Sequence, residues 1–323
     1  MNDLLLGFDI GGTKCAVVLG ETTADGVRIL ERVAFATEPA RGPEPVLQRL
    51  ETEARRLMAA GNVRALGISC GNPLDSTRGM ILSPPNLPGW DEIPITARFA
   101  AALGIPARLQ NDANACALAE WRWGAGRGSR HMVFLTFGTG FGAGLILNGQ
   151  LYAGANDNAG EIGHVRLEHR GPIGYGKHGS CEGFCSGGGI ARLGRQIIRK
   201  QWRKGIQVPC CPDRAALDGL TAQTIFTAAR AGDPTALEIV TRVARQLGRS
   251  LAMLIDLFNP EIIVIGSIFV RANDLLWPIA QRVIAEEALP PAAAICRVVP
   301  AVLGEQLGDY ACLSIAASIL DGK

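Results

Sequence analysis

Two segments of the sequence share one pattern, and that pattern restricts the fold more than any other feature. Residues 4–19 read LLLGFDIGGTKCAVVL, and residues 132–147 read MVFLTFGTGFGAGLIL. Each consists of an apolar run, a turn rich in glycine and threonine, and a second apolar run, which is typical of two strands joined by a tight turn. The repetition predicts a chain of two related halves, and 323 residues are enough for two domains.

Between and after these segments, apolar strands alternate with amphipathic helices, which predicts an α/β fold with mixed sheets. The clearest helix begins after the N-cap Asp233, has Pro234 in its first turn and ends before Asn259-Pro260. Its expected apolar face comprises Leu237, Val240, Ala244, Leu247, Leu251, Leu254 and Phe258. The other expected strands cover 63–69, 105–109 and 262–265, and the other helices cover about 45–60, 113–121 and 309–320.

The composition excludes several classes of partner. Lys and Arg number 32 and Asp and Glu number 30, so the net charge of +2 gives no reason to expect nucleic acid or an anionic membrane as a partner. The first residues lack the pattern of a signal peptide, and no apolar run reaches the ~18–20 residues of a membrane span. Nine irregularly spaced cysteines favour reduced, buried thiols. We therefore expect a cytoplasmic protein.

The turn Asp9-Ile-Gly-Gly-Thr-Lys carries the first chemical signal. Gly11 and Gly12 let backbone N–H groups approach an oxyanion, while Thr13 adds a hydroxyl and Lys14 a positive charge. Asp9 is placed to hold a hydrated Mg²⁺. The turn matches neither the P-loop nor the dinucleotide-binding pattern, and a plain glycine hairpin is the alternative interpretation.

The second turn, Gly138-Thr139-Gly140, occupies the matching place in the second half. Two such turns facing one another across a cleft can hold a triphosphate, so the pair favours nucleotide binding more than one turn does.

Asp112, in the sequence QNDANA, falls where a strand is expected to give way to a helix. A carboxylate there can accept the proton of a hydroxyl that attacks a γ-phosphoryl group. The alternative is that Asp112 only caps the helix that follows.

At this point the sequence resembles the ROK family (repressor, open reading frame, kinase) of the actin, hexokinase and Hsp70 superfamily. The resemblance covers nearly the whole chain. Its motifs are DIGGTK at 9–14, PNLPGW at 85–90, NDANA at 111–115, GAGRG at 124–128, FGTGFGAG at 137–144, AGEIGH at 159–164 and NPEIIVIG at 259–266.

This resemblance implies two actin-like (ribonuclease H-like) domains with an active-site cleft between them, and ATP-dependent phosphorylation of a sugar. It implies that the first domain comprises 1–115 plus about 307–323 and the second 116–306, and that the protein is a homodimer. Asp112 is then the general base. The sugar ligands implied are Asn86, Asn111, Asp112, Glu161, His164 and Glu182. The implied contacts to ATP and its Mg²⁺ are Asp9, Gly11, Gly12, Thr13, Lys14, Gly138, Thr139, Gly140 and Gly266.

The sequence departs from the family at two places. Where relatives often have a run of glycines near residue 265, this chain has Gly266-Ser267-Ile268, close to the expected adenine pocket. The larger departure is the loop GEIGHVRLEHRGPIGYGKHGSCEGFCSG at 160–187, in which many ROK kinases bind one zinc through a histidine and three cysteines.

In this loop His164 keeps the family's histidine, but the three thiol positions hold Ile173, Tyr175 and Ser180. None of these is a good zinc ligand, so we predict that structural zinc is absent and that Ile173 and Tyr175 fill the space by packing. A hydrogen bond should then fix the tautomer of His164. A substitute site formed by His164, His169, His178 and Cys181 is the alternative.

Three functions are compatible with these motifs. The first is a sugar kinase. The second is a sugar-responsive regulator, but the phosphate motif begins at residue 9 and leaves no space before it for a DNA-binding domain. The third is a sugar sensor with weak or no kinase activity. The motifs do not distinguish a hexose from an N-acetylhexosamine as the acceptor.

Overall fold

Strands and helices alternate along most of the chain in the computed structural model, which describes residues 2–322. The strands are β1 Leu4–Ile10, β2 Lys14–Thr23, β3 Gly26–Ala36, β4 Val63–Cys70, β5 Leu74–Asp75, β6 Met80–Ile81, β7 Ala107–Asn111, β8 Met132–Phe137, β9 Phe141–Leu147, β10 Gln150–Leu151, β11 Ile173–Gly174, β12 Lys177–His178, β13 Ile262–Ile265 and β14 Arg297–Pro300. The helices are α1 Pro43–Met58, α2 Ile95–Leu103, α3 Asp112–Trp123, α4 Cys181–Cys185, α5 Gly187–Arg203, α6 Arg214–Asp218, α7 Ala222–Arg230, α8 Pro234–Phe258, α9 Ile268–Glu287, α10 Pro290–Ile295 and α11 Leu307–Leu320. Among the helices of residues 2–322, none combines the length and the apolar character needed to cross a membrane.

Contacts divide the chain into two compact units. The first comprises residues up to 134, residues 144–159 and residues from 302 onward, and the second comprises 135–143 and 160–301. These units differ in extent from the predicted domain ranges, because the boundary predicted at 115 and 116 falls inside α3. Helix α3 stays with the first unit because it packs on α11, where the Ser314 hydroxyl donates to the carbonyl of Ala115 at 3.2 Å.

The first unit is built on a five-stranded sheet in the order β3-β2-β1-β4-β7. Strands β1, β2 and β3 form an antiparallel meander, whereas β4 pairs in parallel with β1 and β7 with β4. Alternating side chains of these strands are buried on both faces of the sheet: one face packs against α1 and α2, and the other against α11. The sheet therefore has a helix layer on each side, which leaves its strand ends as the place for a site.

The second five-stranded sheet has the order β10-β9-β8-β13-β14. Within the second unit, α8 packs lengthwise on α9 and also contacts α7 and α5. The predicted bounds of α8 are confirmed, since the Asp233 carboxylate accepts the N–H of Ala236 and Asn259 ends the helix in a left-handed conformation. One member of its predicted apolar face is wrong: Leu237 is 39% exposed. The buried face also includes Ile239 and Val243, and the helix packs against both α7 and α9.

Candidate functional site

The carboxyl ends of three parallel strands meet at one edge of the first sheet. In the register of β1, β4 and β7, Ile10 lies opposite Cys70, and Cys70 lies opposite Asn111. Asp9, Asn111 and Asp112 are therefore brought to the same edge from sequence positions about a hundred residues apart. Open α/β sheets bind ligands beyond this edge.

The predicted phosphate turn between β1 and β2 is closed by its own backbone and by one hydroxyl. The N–H of Gly11 donates to the carbonyl of Lys14 at 3.1 Å, and the Gly11 carbonyl accepts the Thr37 hydroxyl at 2.6 Å. The N–H of Thr37 donates to the carbonyl of Thr13 at 3.0 Å. The side chains of Thr13 and Lys14 are exposed, so their hydroxyl and ammonium groups are available to an anion.

Asn86 lies directly against this turn. A β-carbon placed on Gly12 would come within 2.6 Å of both the β-carbon and the carbonyl oxygen of Asn86, so only glycine fits there. Asn86 itself is exposed. The predicted phosphate turn and one predicted sugar ligand are therefore neighbours in the first unit.

Asp9 has the most perturbed carboxyl group of this edge. Burial, together with the negative charges of Asp309 and Asp112, raises its pKa from 3.8 to about 6, against the opposing effects of Lys14 and Arg32. Arg32 forms an ion pair with Asp309, in which its Nε lies 2.8 Å from the Asp309 Oδ1. The sequence indicated Asp9 and Asp112, but the third carboxylate, Asp309, was missed because it lies in the C-terminal helix and joins the site only through folding.

We expect the substitution Asp9→Asn to stabilise the unliganded protein near neutral pH. Because the pKa of Asp9 in the folded state lies above its ordinary value of 3.8, this carboxyl favours folding most below pH 3.8, and that contribution is lost as the pH rises through about 6. The amide cannot ionise, so urea unfolding should give a higher free energy of unfolding for the variant at pH 7 and a smaller difference at pH 4. The control variant Asp25→Asn changes an exposed carboxylate in the β2–β3 turn, and its stability relative to wild type should not vary in this way with pH. A variant of Asp9 that loses stability at pH 7 would contradict this account.

The start of α3 settles which residue caps that helix. The side chain of Asn111 accepts the N–H of Asn114 at 2.8 Å and is the N-cap. Asp112 is the first helical residue, its carboxylate accepts the N–H of Ala113 at 2.8 Å, and its side chain is exposed while its neighbours are buried. The alternative interpretation, in which Asp112 serves only as the helix cap, is therefore wrong.

Asn111 is held from the other side by a residue that the sequence did not single out. The carbonyl of Asp157 accepts the Nδ2 groups of both Asn72 and Asn111 at 3.4 Å. The carboxylate of Asp157 is buried and accepts the N–H and hydroxyl of Ser76 at 2.8 and 2.6 Å. Its only sequence signal is its place in the polar turn ANDNAG, directly before the AGEIGH motif.

In the second unit, the Glu161–His164 segment is a short turn pressed onto β9. The Ala143 N–H donates to the carbonyl of Gly160 at 2.8 Å. A β-carbon on Gly160 would lie 2.0 Å from the Ala143 carbonyl, and one on Gly163 would lie 2.1 Å from the Phe141 carbonyl. The two glycines of AGEIGH therefore allow a close approach, and Glu161 projects from it with an exposed side chain.

Glu182 meets the second glycine turn. It is the second residue of α4, whose N-cap Ser180 accepts the N–H of Gly183 at 3.1 Å. The Glu182 carboxylate accepts the N–H of Phe141 at 3.3 Å and lies 3.2 Å from the place of a β-carbon on Gly140. The second unit thus brings together a predicted sugar ligand and a predicted phosphate turn.

His164 packs edge-on against Tyr175, with 4.4 Å between the ring centroids, and its carbonyl accepts the Lys177 ammonium at 2.8 Å. Within residues 2–322 its imidazole forms this ring contact and no hydrogen bond. The prediction that a hydrogen bond from the protein fixes its tautomer is therefore not supported.

The rest of the loop is held by hydrogen bonds rather than by the packing predicted. Ile173 and Tyr175 are 41% and 62% exposed, so the prediction that they fill an apolar interior is wrong. Instead, the Gly179 carbonyl accepts the N–H groups of Leu167 and Glu168, and the Ser180 hydroxyl donates to the Gly174 carbonyl at 3.2 Å.

Within residues 2–322, no three or more histidine, cysteine or acidic side chains are close enough to hold a metal ion. The substitute set is not brought together, because His169 and His178 are exposed whereas Cys181 is buried and receives the Ser250 hydroxyl at 3.3 Å. Burial raises the pKa of the Cys181 thiol to about 11, which disfavours the thiolate that zinc requires.

The zinc prediction has a direct check. We expect elemental analysis of the protein, purified without a polyhistidine tag or chelator, to give far less than one zinc per chain. Incubation with a chelator should leave the thermal midpoint unchanged, because hydrogen bonds hold the loop. Close to one zinc per chain, with a lower midpoint after chelation, would contradict the prediction.

A pocket of about 930 Å³ lies beside the turn at 138–140 in the second unit. Helix α5 begins here: the N–H of Gly187 donates to the Gly138 carbonyl at 2.8 Å, and Ser186 caps the helix. The N-terminus of a 17-residue helix favours negative charge. Arg192 and Phe226 are among the lining residues, so the pocket offers both cationic and apolar surface.

Ser267 and Ile268, of the Gly266-Ser267-Ile268 turn, line the same pocket. The buried N–H of Gly266 donates to the Leu135 carbonyl at 2.9 Å. Ser267 has a φ of 55° and a ψ of −111°, a conformation that glycine adopts far more readily than serine. The departure from the family's glycine run therefore retains a glycine-like backbone under strain.

We expect Ser267→Gly to raise the free energy of unfolding by about 1 kcal/mol, because the strain at this φ is relieved. Urea unfolding monitored by circular dichroism measures the change. The matched control is Asn259→Gly, at a φ of 44° in the left-handed helical region that asparagine tolerates, where the gain should be smaller. An unchanged or lower free energy of unfolding for Ser267→Gly would show that the turn is not strained.

The chain is similar to known proteins over nearly its whole length. The sequence profile described as the ROK family matches residues 5–318. A glucokinase of Thermotoga maritima is 34% identical over 321 residues, which cover 98% of each chain. Among solved structures, the ROK hexokinase of Thermus thermophilus superimposes with a TM-score of 0.81 at 29% identity, over 99% of this chain and 100% of that one. A ROK family glucokinase of Streptomyces griseus, in complex with glucose and AMPPNP, gives 0.75 at 29% identity, over 98% and 99%.

Proposed function

Because the chain belongs to the ROK family, we propose that it is an ATP-dependent sugar kinase that transfers the γ-phosphoryl group of ATP to a hydroxyl of glucose. The observation that carries the proposal is the edge of the first sheet, where an exposed carboxylate at the start of α3 shares one strand register with a glycine turn suited to phosphate. The fold is the two-domain actin-like fold of the ROK hexokinases, as the sequence predicted.

Glucose is the acceptor that the relatives favour. The curated relative from Thermotoga is a glucokinase over almost its whole length, and the Streptomyces structure holds glucose. Carboxylates and amides bind sugar hydroxyls by paired donor and acceptor bonds, and Asn86, Asn111, Glu161 and Glu182 carry such groups. His164, steadied by Tyr175, adds a ring nitrogen.

Asp112 acts as the general base. Its carboxylate is exposed at the first residue of α3, where it can accept the proton of the attacking hydroxyl. Asn111, fixed by its capping bond and by Asp157, orients the sugar beside it. Phosphoryl transfer otherwise depends mainly on position and on neutralised charge.

The triphosphate is held by backbone donors and helix polarity. Thr139 and Gly140 form the turn against which Glu182 lies, and α5 begins beside Gly138, so N–H groups and a helix N-terminus converge on one side of the pocket. The corresponding turn of the first unit offers Thr13 and Lys14.

The residues around Asp9 fit Mg²⁺ bound to ATP. Burial and the negative charges of Asp309 and Asp112 raise the pKa of Asp9 to about 6, and a divalent cation held by this one carboxylate together with the phosphates of ATP would relieve that repulsion. Asp9 is the group that would hold the ion, which when bound neutralises charge on the β- and γ-phosphates.

A coupled assay of ADP release tests the acceptor. With ATP and Mg²⁺ in excess, we expect glucose to give the highest kcat/KM in a panel that includes mannose, fructose, allose and N-acetylmannosamine. A higher value for N-acetylmannosamine would replace glucose as the substrate and leave the kinase intact. No sugar-dependent ADP from any member would favour a sugar-binding regulator or sensor instead.

We further propose that the protein is cytoplasmic, as its cysteine pattern and apolar runs suggest, and that it is a homodimer, as the resemblance to the family implies. Sedimentation velocity at micromolar concentration should give the mass of two chains of 34.1 kDa. A single species with the mass of one chain would overturn the dimer.

A further inference from the structure

Another pocket, of about 530 Å³, lies in the first unit. It is lined by none of the residues proposed to bind ATP or the sugar. It lies at the open side of β7, the edge strand of the first sheet. Its walls come from β7, α3, the β9–β10 turn and α11. The volume is in the range of sites for small molecules, ~300–1,000 Å³.

Two guanidinium groups give this pocket its charge. Arg108 donates through Nη1 to the Ser318 hydroxyl at 3.0 Å, and both residues line the pocket. Arg122 contacts Asp321 at 2.7 Å through Nη1, and its buried Nε has no hydrogen-bond partner among the described residues. A guanidinium has five N–H donors in a fork that matches phosphate, so one carboxylate leaves Arg122 with donors for an anion.

The remaining lining is suited to a hydroxylated body rather than to an ion alone. The indole N–H of Trp121 is occupied by the Ser129 carbonyl at 2.7 Å, so the ring contributes apolar surface. Leu151 adds to that surface, while Thr77 offers a hydroxyl group. An aromatic ring with a hydroxyl group and two arginines is a combination suited to a phosphorylated sugar.

Two lining residues also hold the sugar ligand Asn111. The Gln110 side-chain oxygen accepts the N–H of Asn111 at 2.9 Å and the Nδ2 group of Asn114 at 3.1 Å. Ser76 binds the carboxylate of Asp157, whose carbonyl accepts the Asn111 side chain. A ligand that displaces Gln110 or Ser76 therefore alters the position of Asn111. Two sites are coupled when a ligand at one changes the contacts made at the other, and this displacement would do so.

We propose that this pocket is a second binding site, for a phosphorylated monosaccharide, and that its occupation lowers kinase activity by moving Asn111. Binding at the pocket does not depend on the enzyme's chemistry, whereas the inhibitory effect rests on the proposed function. The product of the reaction belongs to this ligand class, so the site would report product accumulation.

Calorimetry tests the binding. Glucose 6-phosphate is titrated into protein saturated with glucose and a non-hydrolysable ATP analogue, so that the kinase site is already occupied. We expect one further site per chain, and we expect Arg108→Met and Arg122→Met each to weaken it at least about tenfold, the loss of a charged hydrogen bond. Arg122→Lys, which retains the charge opposite Asp321, separates a loss of binding from a loss of folding.

The control is Arg28→Met, which removes an exposed ion pair of the first unit outside the pocket and should leave the affinity unchanged. Inorganic phosphate is the second probe, and it should bind at least tenfold more weakly than glucose 6-phosphate. No binding to the saturated protein, or equal affinity for inorganic phosphate, would overturn the sugar phosphate site.

Steady-state kinetics test the coupling. Because Asn111 is a proposed sugar ligand, glucose 6-phosphate should inhibit wild type by raising the KM for glucose, and Arg108→Met should escape inhibition while its kcat and KM without inhibitor stay unchanged. Binding without inhibition would overturn the regulatory part of the proposal. A protein that phosphorylates no sugar would refute the proposed function, while the calorimetric result would still decide the site.

Discussion

The substitution Asp112→Asn should reduce kcat about 10²–10⁴-fold, the usual cost of removing a general base. The amide keeps the shape of the side chain but cannot take the proton of the attacking hydroxyl. Asn111, not Asp112, caps α3, so the helix should keep its start and the fold should be retained. Sugar affinity, measured by calorimetry in the presence of a non-hydrolysable ATP analogue, should change by less than about threefold.

Two controls sharpen this result. Asp25→Asn, far along the chain in an exposed turn, should retain full activity. Circular dichroism and the unfolding midpoint of Asp112→Asn should match those of wild type. If Asp112→Asn retained more than about a third of wild-type turnover with chemistry limiting, another group would be the base.

The substitution Gly160→Ala should weaken glucose binding strongly and lower stability at the same time. Gly160 has a φ of 90°, and an added β-carbon would lie 2.0 Å from the Ala143 carbonyl. The backbone must therefore move away from β9, and it carries Glu161 and His164 with it. We expect a loss of about 2–4 kcal/mol in the free energy of unfolding, from the strain at this φ and the overpacking together.

Gly128→Ala is the matched control. Gly128 has nearly the same φ, 85°, but an added β-carbon would meet nothing within 4 Å. It should show only the strain of the backbone, roughly 1–2 kcal/mol, with the KM for glucose unchanged. The measurements are urea unfolding and the KM for glucose of both variants. Equal effects in the two variants would show that the contact with Ala143 does not position the sugar segment.

Local patterns were sufficient for much of the fold. The N-cap, the proline and the final Asn-Pro placed the long helix α8 to the residue, because capping is decided by neighbours in sequence. The β1–β2 unit and the buried β13 strand were also predicted, because an apolar run and the turn beside it are local features of the sequence. The exposed Leu237 was mispredicted because helical spacing defines an apolar face without saying which neighbour the face meets.

The candidate site was predictable where one turn carries several chemical groups, as at residues 9–14 and 138–140. It was not predictable where support comes from distant segments. Asp309 reaches Asp9 because α11 returns to the first sheet, and Asp157 reaches Asn111 from a largely exposed turn in which it is itself buried. Such contacts depend on the tertiary fold, and neither residue has a spacing that marks it.

The loop at 160–187 shows the same limit. The sequence indicated that the thiol positions are lost, but not what replaces them. Backbone bonds around Gly179 and the hydroxyl of Ser180 hold the loop, while Ile173 and Tyr175 face solvent. Their apolar character suggested packing, but hydrogen bonds of the backbone are invisible in residue type alone.

The central claim is that this protein moves a phosphoryl group from ATP to a sugar, and phosphorus NMR of the reaction mixture tests it most directly. With ATP, Mg²⁺ and glucose, the account predicts that the γ-phosphate resonance of ATP declines while resonances of ADP and of a new phosphomonoester grow in equal amounts. Asp112→Asn should slow this phosphoryl transfer at least about a hundredfold. A decline of ATP that yields only inorganic phosphate, or no glucose-dependent change at all, would contradict it.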